Sequence, residues 1–112
     1  MDCIFDKIIA GEIPSDKVYE DGEVIAIKDI NPSALVHILI IPKKHIESVN
    51  HMDEADSALI GKLIYTASNI AKKKGLSSKG YRLVFNIGED AGMVVNHIHL
   101  HLLGGQKLGA MV

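Results

Sequence analysis

The sequence predicts an α+β domain: an antiparallel sheet with two helices packed on one face. Three observations predict it. Short β-rich runs, several alternating apolar and polar residues, recur at 17–20, 23–28, 35–41 and 81–87 and again around the histidines at 97–101. Turn residues join them, Asp21-Gly22 between the first two runs and Asn31-Pro32 after the second. One long stretch, 53–74, instead carries its apolar residues at helical spacing. At 112 residues the chain is one domain, 1–112, large enough to bury a core and too small for two.

Taken in order, Asp2 is the expected cap of a short helix whose Ile4, Phe5, Ile8 and Ile9 share a side and which Gly11 and Pro14 stop. Asp21-Gly22 predicts a two-residue hairpin turn with positive φ at both positions. The third run, 35–41, is almost wholly apolar, is closed by Pro42, and contains His37, which needs a partner for its ring nitrogens when buried. Lys43-Lys44-His45 is expected as a solvated basic turn. The main helix should start near Asp53 and end in Lys72, Lys73 and Lys74 before Gly75, an arrangement that suits the helix dipole and a C-terminal cap. Gly61 within it suggests close approach of another backbone, such as a second subunit. The loop from Gly88 to Gly92 leads into the last strand.

That last strand carries the chemistry. His97, His99 and His101 occupy alternate positions, so a strand would line one face with three imidazoles and the other with Ile98, Leu100 and Leu102. Three readings follow: a metal site of alternate histidines, a polar sheet surface, or a nucleophilic imidazole oriented by its neighbours. The third leads, because His37 lies on another strand of the same sheet and can join the cluster. A net charge of −2, with acidic and basic residues mixed along the chain, argues against a nucleic-acid partner. One cysteine, Cys3, and an N-terminus carrying Asp2, Asp6 and Lys7 predict a cytoplasmic protein, and the longest apolar run is far too short to span a membrane.

Nearly the whole chain resembles the histidine triad (HIT) family, and within it the Hint branch of purine nucleoside phosphoramidases. The resemblance rests on His97-Ile98-His99-Leu100-His101, Ile4-Phe5 with Lys7-Ile8-Ile9, Glu12-Ile13-Pro14, Tyr19-Glu20-Asp21, and Asp29-Ile30 with Pro32. His37 followed by Ile40-Ile41-Pro42-Lys43-Lys44-His45, then Tyr81-Arg82 and Asn86, extend it. Gly104-Gly105 resembles the Hint branch, whereas dinucleoside polyphosphate hydrolases of the family typically carry Pro-Arg after the last histidine. The resemblance implies a HIT-like five-stranded antiparallel sheet with two helices that dimerises into a continuous ten-stranded sheet. It implies hydrolysis of purine nucleoside 5′-phosphoramidates through a covalent nucleotidyl-histidine, without a metal or other cofactor. His99 would be the nucleophile, His97 would orient it, and His101 and His37 would complete the polar cluster. Asp29 would hold the ribose, Ile4, Phe5, Ile8, Ile27, Ile30 and Leu39 would line the base pocket, and Asn86, Gly92 and the 94 position would lie near the phosphate.

Two departures from the family pattern matter. The family usually reads Gly-Gln-Ser-Val before the triad, and here the run is Gly92-Met93-Val94-Val95. Val94 has no hydroxyl to donate, so binding is expected to survive and turnover to be lower. The alternative readings are a purine-nucleotide-binding regulatory protein with vestigial catalysis and a dinucleoside polyphosphate hydrolase. Some bacterial relatives bind structural zinc through two cysteines and two histidines, and here the positions read Cys3, Asp6, His45 and His97. A carboxylate in place of a thiolate weakens such a site, and no metal is expected.

Overall fold

The structure, a computed structural model, describes residues 3–111. Its elements are α1 (Ile4–Ile9), β1 (Lys17–Glu20), β2 (Val24–Lys28), β3 (Val36–Pro42), α2 (Ser57–Lys73), β4 (Arg82–Val84) and β5 (Leu100–Gly104), with short 3-10 turns between. The five strands form one antiparallel sheet in the order β1-β2-β3-β5-β4. The fold class is therefore as the sequence predicts.

The helices are not on one face. Val24, Ala26, Ile38, Ile40, Leu100 and Leu102 point to one side of the sheet and pack under α2, against Leu63, Ala67 and Ile70. Ile25, Ile27, Leu39 and Ile41, at the intervening positions, point to the other side and pack against Phe5 and Ile8 of α1. A sheet covered on both faces needs strands apolar at every position, and β2 and β3 supply them. The histidines share the α1 side.

Several local expectations change for identifiable reasons. The Asp2 cap falls outside the described residues; within them the cap of α1 is Cys3, whose sulfur accepts the Asp6 N–H while the Asp6 carboxylate accepts the Cys3 N–H. The β1–β2 turn has no positive φ at Asp21 or Gly22; instead the Asp21 carboxylate accepts the N–H groups of Glu23 and Val24. Lys43, Lys44 and His45 form a solvent-facing basic turn as expected, Lys44 and His45 being exposed, and they also pair with Glu20, Asp56 and Asp6 at 2.8, 2.6 and 2.7 Å. α2 begins at Ser57 after a 3-10 turn capped by Asp53. A side chain at Gly61 would meet nothing within 4 Å, so no backbone of this chain approaches it closely.

Candidate active site

Antiparallel pairing builds the site. β3 runs beside β5 with His37 opposite Leu103 and Leu39 opposite His101, which sets the two rings side by side on the α1 face. Only His101 lies within β5; His97 and His99 sit in the extended lead-in that starts two residues after Val95, with Ile98 N–H bonded to the Ile46 carbonyl. The alternation holds nonetheless, because Ile98, Leu100 and Leu102 are all buried in the α2 core.

Hydrogen-bond partners fix the tautomers. His99 Nδ1 lies 2.7 Å from the carbonyl oxygen of His97, and a carbonyl only accepts, so Nδ1 carries the proton and Nε2 keeps a lone pair. This is the state a nucleophile needs. The group of His97 that meets the His99 ring is therefore its main-chain carbonyl and not its imidazole. The ring of His97 is wholly buried, donates from Nε2 to the Pro42 carbonyl at 2.8 Å, and turns Nδ1 toward Cys3 and Asp6.

A second chain of bonds runs from Ser33 to His101. The Ser33 N–H donates to His37 Nδ1 at 3.0 Å, which places the His37 proton on Nε2. That nitrogen donates to His101 Nδ1 at 2.9 Å, with a carboxylate oxygen of Asp29 3.4 Å away. His101 is left with its proton on Nε2, as a donor. Burial, then the neighbouring charges of His99 and His37, pushes the His101 pKa down to about 4. Burial likewise lowers His37, against the attraction of Asp29. Both rings are neutral at pH 7. The ring of Phe5 stands edge-on to His99 with centroids 5.1 Å apart, closing one side.

The remaining expected residues divide. Phe5, Ile8, Ile27 and Leu39 come together as one buried cluster beneath α1. Ile4 is half-exposed and Ile30 stands 88% exposed on the loop after β2, outside that cluster. Asp29 is held by the Asn31 N–H on one oxygen and faces His37 with the other. Asn86 is half-buried just beyond β4. Gly92 takes φ +80°, ending a 3-10 turn, and the chain then sends Val95 onto the α1 cluster and leaves Val94 90% exposed. Sequence reasoning missed the Ser33 N–H and the Pro42 carbonyl, since main-chain groups leave no residue-type signal.

Among the described residues two clusters have the composition of metal sites, and the number of donors separates them. Cys3, Asp6, His45 and His97 each offer one donor atom within 4.8 Å of the others. The Nε2–H bond to Pro42 leaves His97 Nδ1 with a lone pair aimed into the group, and His45 Nδ1, 2.7 Å from the Asp6 carboxylate, carries a proton that a metal ion would displace. The four residues thus fit a zinc ion in donor type and placement. The second cluster, Asp29, His37 and His101, offers three donors and is tied internally by the His37–His101 bond, so it is a hydrogen-bond relay.

A half-buried imidazole cluster on one face of a five-stranded sheet, under a short helix, defines a small α+β protein equipped for imidazole chemistry. The chain belongs to the HIT family: residues 10–108 match the HIT domain model. It is 47% identical to the purine nucleoside phosphoramidase of Escherichia coli strain K12, over 99% of this chain and 93% of that protein. Its fold matches a HIT family hydrolase from Legionella pneumophila Philadelphia 1, with a TM-score of 0.94 at 48% identity over 96% of each chain. A histidine triad protein from Clostridium difficile matches with a TM-score of 0.95 at 45% identity, over 100% of this chain and 97% of the other.

Proposed function

We propose that the protein hydrolyses purine nucleoside 5′-phosphoramidates, with His99 as nucleophile. The observation that carries this reading is the bond from His99 Nδ1–H to the His97 carbonyl, which frees Nε2 for attack. Nε2 displaces the amine from the α-phosphorus, forming a P–N bond to imidazole as the P–N bond to the amine breaks. The positive charge that develops on the ring is stabilised by the carbonyl already bonded to Nδ1–H. His101, a neutral imidazole with its N–H at Nε2, donates a hydrogen bond to a phosphoryl oxygen, and the Ser33–His37 relay keeps it in that tautomer, while the departing amine takes its proton from water. Water then attacks phosphorus, releases the nucleoside monophosphate and restores His99. Asp29 accepts from the ribose hydroxyls, and the Phe5–Ile8–Ile27–Leu39 cluster flanks the base, with Ile30 closing over it.

No step of this route passes through a metal. A zinc ion would be held by Cys3, Asp6, His45 and His97, where it would tie α1 to the segment bearing the nucleophile.

The relatives named above support the substrate class. Gly104 supports the Hint-type reading against a dinucleoside polyphosphate hydrolase, since a side chain there would come within 3.1 Å of Leu76. A second reading, a purine-nucleotide-binding regulatory protein, is favoured by Val94, which offers no hydroxyl. The test is release of AMP from adenosine 5′-phosphoramidate by chelator-treated protein, comparing wild type with His99→Ala. Turnover that the variant loses by at least about 10³-fold is expected. AMP binding without wild-type turnover would instead make the protein a binding module.

A further inference from the structure

The basic residues are less evenly mixed than the net charge suggests. Residues 57–88 carry Lys62, Lys72, Lys73, Lys74, Lys79 and Arg82 and no carboxylate side chain. Lys17, Lys28, Lys43, Lys44 and Lys62 have carboxylate partners. Among the described residues Lys72, Lys73, Lys74, Lys79 and Lys107 have none within 4 Å, and they gather at the C-terminal end of α2. Lys74, Lys79 and Lys107 line one cleft of about 800 Å³, each from a different segment: the end of α2, the loop before β4, and the chain after β5.

Helix capping does not account for this. The last carbonyls of α2 already accept main-chain N–H groups from Lys74, Gly75 and Leu76, and Lys79 and Lys107 are not on the helix. Gathering like charges without a partner costs the fold self-repulsion. Three residues lining the cleft are glycines at positive φ, Gly75, Gly80 and Gly105, which bring main chain and no side chain to it. Gln106 has its amide oxygen occupied by the Leu35 N–H, which leaves its NH₂ to donate.

We propose that this cleft binds a compact, non-aromatic polyanion of the oligophosphate class. Three ammonium groups match several phosphate charges, the exposed backbone allows close approach, and no carboxylate or aromatic ring lines the walls. An extended nucleic acid fits less well. The adjoining groove does carry Tyr19 and Tyr65, but its Lys62 is committed to Asp21 and Glu23, whose charges would repel a phosphate backbone. None of the triad histidines lines the cleft, so the site stands apart from the proposed hydrolysis.

The experiment is calorimetric titration of the full chain with inorganic tripolyphosphate at fixed salt, with Lys79→Ala/Lys107→Ala, Lys7→Ala and the charge-preserving Lys79→Arg/Lys107→Arg in parallel. One saturable site is expected, weakened about ten-fold or more by the double alanine variant and less than about two-fold by Lys7→Ala and by the arginine pair. Thermal melts of the variants confirm that each is folded. The proposal is overturned by absence of saturable binding or by equal weakening in Lys7→Ala. It is also overturned if a single-stranded oligonucleotide binds more tightly than tripolyphosphate through the same lysines, which would make the surface a nucleic-acid site.

Discussion

His97 serves two sites at once: its carbonyl fixes the tautomer of His99 while its buried ring faces Cys3 and Asp6. The period of the triad and the participation of His37 were legible, because each is a matter of side-chain type and spacing. The tautomers were not, because they depend on the Ser33 N–H and the Pro42 carbonyl arriving from other segments. Val94 is the residue whose chemistry departs most, and its 90% exposure makes it safe to change. Val94→Ser should leave the melting temperature unaltered and raise kcat on adenosine 5′-phosphoramidate roughly ten-fold, by restoring one donor near the leaving group; an unchanged kcat would mean the hydroxyl has no role here. A pH effect follows from His101. An unfolded imidazole takes up its proton near 6.5, whereas the folded ring, chiefly through burial, resists until about 4. Between those values the unfolded state binds more protons, so this contribution is complete above pH 6.5 and is lost as pH falls through 4. After discounting for partial exposure it amounts to about 2 kcal/mol. Urea unfolding at pH 7 and at mildly acidic pH should show that loss, and His101→Gln should reduce it.

α1 is too short to be stable alone, and its attachment decides whether the site has a wall. Phe5 and Ile8 anchor it to the sheet, and its cap residues Cys3 and Asp6 reach across to His97 and His45. Against the opposing effect of burial, the bond from the Cys3 backbone N–H, with those from the His45 and Cys3 side chains, holds the Asp6 carboxyl below its ordinary range. Asp6→Ala removes both the cap and the tether. It should cost about 1–2 kcal/mol in urea unfolding and weaken AMP binding, through looser placement of Phe5 against His99. Unchanged AMP affinity would show that α1 holds its position by apolar packing alone. The existence of this helix was legible from Ile4, Phe5 and Ile8, but its side of the sheet was misjudged. The informative signal was β3, where Ile38-Leu39-Ile40-Ile41 does not alternate: a strand apolar on both faces is covered on both. β4 is shorter than its pattern suggests because it pairs only with β5.

The sheet of the whole molecule ends in two unlike edges. β1 is bulged between Lys17 and Tyr19 and carries Lys17 and Glu20, the devices by which an edge strand discourages pairing. β4 has no bulge, and past its one charged residue, Arg82, Leu83 and Val84 are half-buried and uncharged, as is Phe85 just beyond it. Helical spacing puts Gly61, with open space beside it, next to both Ile64, 45% exposed, and Tyr65, 68% exposed, with Ile64 on the α2 flank away from Lys62 and the groove beside β1. An unguarded edge, an exposed isoleucine and a bare glycine together are what a second copy of the chain would cover. The close approach expected at Gly61, absent within the chain, is then left for that partner. Sedimentation should give twice the 12.2 kDa of one chain. Ile64→Glu, tolerable on a monomer surface, should weaken the dimer about 100-fold by burying an unpaired charge. A wild-type protein that sediments as one chain would end the ten-stranded expectation. A variant that stays as tightly paired as wild type would place the interface elsewhere than on this flank.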